Sequence, residues 1–324
     1  VQRIRRTEDA ERILRWVAIS GILMCTFGVI QYAFANGAYY WFFKFRNVST
    51  TDHLTGAFPN KNLFGEFICL TIGPIIWWLM TAGQDSRKER AGSWSKDSAV
   101  PHQVKGALLM MSLTIVIIAL FLSLSQGAVI ATGIGVTVML LVLFRKSYIP
   151  GQTVAGFFGI GLFAVALLFI VGGDRVTRAV KRLDNWNDNG RYQIWQANLD
   201  ALSDYPIVGT GVGSHRFVYH RYLNTPNTAG IYTHAENAYL QIASETGLIG
   251  FGLCVACLLL CFWWCAQGVR VSRNRMSTIA IAGITCSLVA SCLHNLVDFG
   301  WYIQGTMSLF VVLMACVCRL YQFE

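Results

Sequence analysis

Long apolar runs recur along this chain, separated by polar segments. A bilayer core about 30 Å thick takes about 20 mostly apolar residues to cross as a helix. Eight stretches meet or approach that length: residues 14–34, 63–82, 106–124, 127–144, 153–172, 248–266, 276–294 and 302–320. Inside a bilayer each backbone N–H and C=O needs an internal partner, so such runs read as helices. The pattern predicts an all-α integral membrane protein with about eight transmembrane helices. Residues 1–324 form one polytopic domain, and a large loop, residues 173–247, joins the fifth and sixth spans. The first residue is Val1, and further spans are expected upstream of it.

Composition agrees with this pattern. The chain is 54% hydrophobic and only 13% charged, where soluble domains carry about 25% charge. The formal charge of +9 then speaks to topology and to anionic lipid rather than to nucleic acid. Basic residues cluster before the first span (Arg3, Arg5, Arg6, Arg12, Arg15) and between spans two and three (Arg87, Lys88, Arg90, Lys96, Lys105). They recur between spans four and five (Arg145, Lys146) and between spans six and seven (Arg270, Arg273, Arg275). If every segment crosses, these loops share one side, the cytoplasm. The opposite side holds residues 35–62, a tight turn at Ser125–Gln126, the long loop and a short turn near residues 295–301. The long loop is itself rich in arginine, with Arg175, Arg178, Arg191, Arg216 and Arg221 among its basic residues. Long loops escape the charge rule; alternatively these arginines hold an anion at the outer leaflet, such as a lipid diphosphate.

Within that loop, Tyr192, Trp195, Leu199 and Leu202 recur at helical spacing, which predicts an amphipathic interfacial helix over residues 191–202. Arg191 opens it. A guanidinium at a helix N-terminus suits a phosphate clamp, and equally a headgroup contact or an ion pair. Glu236 stands just before the sixth span. It reads either as a carboxylate with raised pKa, able to take a proton from a hydroxyl, or as a helix cap. His234 is a second proton carrier. Gly209-Thr-Gly-Val-Gly-Ser214 lacks the lysine and the strand context of a phosphate loop, and reads as a turn returning His215 and Arg216 to the membrane. His294, Asp298 and Glu66 are polar groups at span ends that line a cavity more readily than they face lipid. Cys254, Cys257, Cys261 and Cys265 share one helix face, which suits close helix packing. No His-Glu-x-x-His or paired-Cys spacing occurs, so neither a metal nor another cofactor is expected.

Four pieces of the chain resemble the bacterial O-antigen ligase and O-antigen polymerase family of membrane glycosyltransferases. They are Thr55-Gly-Ala-Phe-Pro-Asn-Lys-Asn-Leu-Phe-Gly65, Ser123-Leu-Ser-Gln-Gly-Ala128, Gly190-Arg-Tyr-Gln-Ile-Trp195 with Tyr205-Pro-Ile-Val-Gly-Thr-Gly-Val-Gly213, and Glu236-Asn-Ala-Tyr-Leu-Gln241 with Gly247-Leu-Ile-Gly250. Their order and their position relative to the spans carry the resemblance.

The resemblance implies a multi-pass protein of the bacterial inner membrane with its active site facing the periplasm. It implies a polyprenyl-diphosphate-linked glycan donor, a glycan or lipid-linked glycan acceptor, and metal-independent inverting transfer. Two arginines would hold the diphosphate, and a His would assist the attacking hydroxyl. Here Arg191 matches one arginine, and Gln126 stands where the other is expected, with Arg175, Arg178 and Arg216 as its replacements. Glu236 stands where the His is expected, with His234 two residues earlier. The expected catalytic set is therefore Glu236, Arg191 and His234. Ser125, Gln126, Arg216, Asn237, Tyr239, Trp195 and His294 are expected to bind substrate. A glycan transporter and a non-catalytic assembly subunit are the rival readings; an inverted repeat of spans would favour transport, and none is found.

Overall fold

The computed structural model describes residues 3–44, 49–90, 102–159, 190–223 and 232–324. The described elements are helices: α1 (Thr7–Ala33), α2 (Lys61–Arg90), α3 (His102–Leu122), α4 (Gln126–Arg145), α5 (Gly190–Asp204), α6 (His215–Val218), α7 (Ala238–Val271), α8 (Arg275–His294) and α9 (Gln304–Gln322), with 3-10 turns at Tyr219–Tyr222 and Gly300–Tyr302. The only β pairing among the described residues is an isolated bridge between Tyr39 and Phe43. Six helices are long and apolar enough to cross a bilayer, and Gly106–Leu122 is a shorter apolar helix. These account for seven of the eight expected spans. The remaining one, residues 153–172, lies outside the described residues beyond 159, as do Arg175 and Arg178.

The chain divides into two compact units. The first comprises Val1–Val142, Leu259–His294 and Gly300–Glu324. Its centre is the pair α2 and α8, the two most enclosed spans. Lipid provides no hydrophobic drive between helices, so close association rests on small residues that let backbones meet. A Cβ on Gly73 would stand 1.8 Å from the Gly283 carbonyl oxygen, and one on Gly135 would stand 2.5 Å from that of Cys286. The Gly73 N–H donates to Ser287 Oγ at 3.1 Å. One turn further along α8 lies a buried polar cluster. Ser291 donates to Glu66 Oε1, His294 Nδ1 lies 3.1 Å from Glu66 Oε2, and Trp301 Nε1 donates to Ser291 Oγ at 3.1 Å. Gly300 lets the chain pass over Glu66, since a Cβ there would meet Glu66 Cγ at 2.6 Å. Polar side chains buried in a bilayer persist only when partnered, and each of these side chains supplies another's partner.

The second unit comprises Leu143–Leu258 and Asn295–Phe299. In it α7 begins at Ala238, ten residues before the apolar stretch that predicts the span. Asn237 Oδ1 accepts the Leu240 N–H at 3.0 Å and so caps the helix. Gly247, at φ 65°, kinks it where the apolar run starts. Residues 206–211 bond alongside: Thr210 N to Ser244 O at 2.9 Å, Gly211 N to Glu245 O at 2.9 Å, and Leu248 N to Pro206 O at 2.8 Å. The fit depends on two glycines at positive φ. A Cβ on Gly209 would meet the Glu245 carbonyl carbon at 2.4 Å, and one on Gly247 would meet Ile207 O at 2.2 Å. Gly209→Ala combines this overlap with a left-handed backbone costing about 1–3 kcal/mol. In detergent solution, with no bilayer to shield the segment, it is expected to raise the rate of proteolytic cleavage within residues 205–217 several-fold; an unchanged rate would disprove the close approach.

Candidate functional site

The segment from Tyr232 to Asn237 brings the polar residues of the second unit together. Glu236 adopts φ 55°, a left-handed conformation uncommon for a residue other than glycine. Neighbouring bonds hold it there. The Ala235 N–H donates to Gln241 Oε1 at 2.9 Å, and the Ala238 N–H donates to the carbonyls of Asn295 and Asp298 at 3.0 and 2.9 Å. Such strain persists where surrounding contacts over-determine it, and functional sites are where it collects.

Held this way, the Glu236 side chain meets Arg191. Arg191 Nη2 donates to Glu236 Oε2 at 2.9 Å across 45 residues of sequence. The Arg191 side chain is 38% exposed and that of Glu236 17%, so one face of the pair is open. Burial pushes the Glu236 carboxyl above its ordinary value, and Arg191 pulls it back part of the way. His234 stacks on Phe299 with ring centroids 4.3 Å apart and 4° between planes, and its Nδ1 lies 2.9 Å from Thr233 Oγ1. Burial lowers its pKa, which keeps the ring neutral near pH 7.

A second layer of buried polar groups supports this segment. Gln241 Nε2 donates to Glu245 Oε1 at 3.1 Å, and the same oxygen accepts the His215 N–H at 3.2 Å. Asn198 Oδ1 lies 3.0 Å from His215 Nδ1 and accepts from Ser244 Oγ at 2.8 Å. Asn198 Nδ2 donates to Ile194 O at 2.7 Å, which orients the amide and leaves its oxygen as the acceptor. An acceptor oxygen facing Nδ1 favours the tautomer with its proton there, and Nε2 is buried.

Burial drives the His215 pKa down to about 4, against an opposing pull from Glu245. Between its ordinary value of 6.5 and about 4 the unfolded chain binds a proton that the folded chain refuses. Stability therefore rises with pH across that window. The thermal midpoint in detergent is expected to fall as pH drops from about 6.5 to about 4. His215→Gln should flatten that slope, and an equal slope in the variant would refute the assignment.

The expected residues fall in different places. Trp195 lies one turn beyond Arg191 on α5, half-buried. The buried face of α5 is Ile194, Ala197, Asn198 and Ala201, whereas Tyr192 and Leu199 are exposed, as suits a stripe turned to lipid. Asn237 caps α7, and Tyr239 is half-buried in its first turn. Arg216 is exposed, its guanidinium 4.5 Å from the Phe217 ring centroid. Ser125, Gln126 and His294 belong to the first unit. There Ser125 Oγ donates to Asn62 Oδ1 at 3.0 Å, Gln126 is the exposed first residue of α4, and His294 is buried against Glu66.

Asn198, Gln241, Ser244 and Glu245 were not anticipated as part of the site. The signal for three of them was present: Gln241, Ser244 and Glu245 fall at helical spacing, on one face of a helix start. Phe299, the platform for His234, carried no signal. Among the described residues no group of three His, Cys, Asp or Glu side chains is placed to hold a metal.

Residues 111–255 match the O-antigen ligase family. The matched segment contains Gln126, Arg191, His215, His234, Glu236 and the whole Gln241–Glu245 network, and excludes Glu66 and His294. No curated protein matches the chain.

Proposed function

We propose, from the premise that residues 111–255 belong to the O-antigen ligase family, that this membrane protein transfers a glycan from a polyprenyl-diphosphate carrier to a hydroxyl of an acceptor glycan. The observation that carries the proposal is the Arg191–Glu236 pair, a cation and a carboxylate of raised pKa held together beside the start of a span. The site lies on the periplasmic face of a bacterial inner membrane, opposite the basic loops.

In the resting state each member of the pair occupies the other. A diphosphate brings two or more negative charges and suits bidentate guanidinium contacts. When the donor arrives, Arg191 turns to it. Glu236 then loses the partner that lowers its pKa and becomes the stronger base. Donor binding thus switches on the group that the acceptor needs. The acceptor oxygen attacks the anomeric carbon from the face opposite the diphosphate, with inversion. The new C–O bond forms as the bond to the leaving diphosphate oxygen breaks. The hydroxyl proton passes to Glu236, and Arg191 offsets the charge gathering on the leaving group. In this scheme Arg191 does the charge-neutralising work, and the transfer proceeds without a metal. His234, flat against Phe299, and Asn237, Tyr239 and Trp195 border the site and contact sugar. Arg216 is a further contact for the donor.

Reconstitution tests the proposal. Purified protein in phospholipid vesicles is mixed with a polyprenyl-diphosphate-linked oligosaccharide and chelator, and products are followed by mass spectrometry. Release of free polyprenyl diphosphate together with an extended glycan is the expected result. An extended glycan that remains lipid-linked identifies a polymerase, and transfer to added lipid A core identifies a ligase. Movement of intact donor across the vesicle without bond cleavage would overturn the proposal in favour of transport.

A further inference from the structure

We infer that the segment Tyr205–Phe217 inserts into the lipid bilayer, with Ile207 and Val208 in contact with phospholipid acyl chains and Val212, next to the Gly211 that bonds Glu245, in the interfacial zone. The inference rests on the reading of α7 as a span and not on the transfer chemistry.

The length and apolar span of α7 fix its height in the membrane. α7 has 34 residues and is about 51 Å long at 1.5 Å per residue, well beyond a hydrocarbon core of about 30 Å. Its apolar part runs from Leu248, just past the Gly247 kink, to the basic Arg270 of its last turn. About 20 residues of that part fill the core, so Leu248 and Ile249 stand at its edge. Both are 58% exposed, and Leu253, one turn deeper, is 66% exposed. On a span, such exposure is contact with lipid.

Backbone bonds then carry the level across to the loop. Leu248 N donates to Pro206 O at 2.8 Å and Ile249 N donates to Ile207 O at 3.4 Å. Ile207 and Val208 therefore lie beside the residues that mark the hydrocarbon edge. They are 64% and 68% exposed, and Val212 is 84% exposed. Large apolar side chains presented together mark an interaction surface. Here the surface continues the lipid-facing start of α7 without a break, so lipid is the partner that it fits. Tyr205 and Phe217 are also exposed, at 51% and 68%. Their amphipathic or aromatic rings suit the interfacial zone, and Arg216, over the Phe217 ring, reaches headgroups while its stem stays on apolar surface. The loop follows α5 directly. Its insertion would anchor the C-terminal end of the helix that begins with Arg191, and so set the height of the diphosphate contact.

The test uses the unaltered chain, reconstituted in vesicles whose phospholipid carries a photoreactive diazirine on the acyl chain, with no polyprenyl lipid present. After illumination, lipid-tagged peptides are mapped by mass spectrometry. Tags on residues 205–212, at a yield within about threefold of those on residues 248–258 and well above those on Tyr219–Tyr222, are the expected result. Tags confined to the spans, with residues 205–212 no higher than Tyr219–Tyr222, would overturn the inference; tagging of the spans shows in the same sample that the protein is inserted.

Discussion

Glu236→Gln is expected to lower transfer by about 10²–10⁴-fold, the range for loss of a positioned general base. Arg191→Ala is expected to lower it by about 10²–10³-fold, the range for loss of a charge-stabilising contact. Neither variant should unfold. Arg191 is 38% exposed and stays solvated without its partner, and Glu236, whose pKa burial already raises, can take up a proton when Arg191 is lost, so neither change strands a buried charge. Glutamine keeps an oxygen to accept from Arg191, so Glu236→Gln separates basicity from geometry. Arg191→Lys keeps the charge and loses the fork, and should recover only part of the rate.

The pH profile adds a readout that a structural role would not move. Activity needs ionised Glu236, so the rate rises with pH through its pKa, which burial places above the ordinary 4.5. Arg191 lowers that pKa. Removing Arg191 should therefore shift the acid limb of the kcat/KM profile of residual activity, which reports the free enzyme, to higher pH. A limb that stays in place in Arg191→Ala, or full activity in either variant, would dismiss the pair as the reacting groups. Because the two act as a unit, the double variant should cost much less than the product of the single losses.

The sequence reading located most spans because an apolar run in a bilayer leaves one economical structure, a helix. It placed the sixth span from residue 248, ten residues into α7, for a physical reason. Gln241, Ser244 and Glu245 look like loop residues when polarity is the guide, yet in the fold they are buried at 2%, 2% and 1% exposure in contact with one another and with Asn198 and His215. Polar helix turns packed on protein and polar loops in water carry the same composition. The amphipathic helix at residues 191–202 was legible from its period, but which of its faces meets protein was not. The stripe of Tyr192, Trp195, Leu199 and Leu202 is the more apolar, while the packed face uses Ile194, Ala197, Asn198 and Ala201. Arg191 and Glu236 each stood out as polar groups at a membrane boundary. Their contact did not, because a pairing across 45 residues leaves no local pattern. The same holds for Glu66, which reaches Ser291 and His294 across 225 and 228 residues.

Gly73→Val is expected to abolish the stable association of α2 with α8, the largest structural effect of any single change considered. Added volume in a packed core usually costs about 1–3 kcal/mol, because side chains shift to absorb it. No such relief exists at Gly73, where the atom 1.8 Å from the new Cβ is the backbone oxygen of Gly283. The two helices would have to separate, and separation breaks the Gly73 N–H to Ser287 Oγ bond. It also pulls Glu66 from Ser291 and His294, leaving a buried carboxylate short of partners inside the membrane. The cost is therefore expected to exceed about 3 kcal/mol. Heating in detergent followed by size-exclusion chromatography should show the variant aggregating at a temperature well below the parent, or failing to purify as a single species. The contacts also rank milder changes. Gly283→Ala places its Cβ 2.8 Å from the Gly73 oxygen and should be less damaging than Gly73→Ala. Gly133→Ala meets nothing within 4 Å, and in a helix interior it should be neutral or stabilising by about 0.5–1 kcal/mol. Equal midpoints for Gly73→Val and Gly133→Ala would show that α2 and α8 do not pack backbone to backbone.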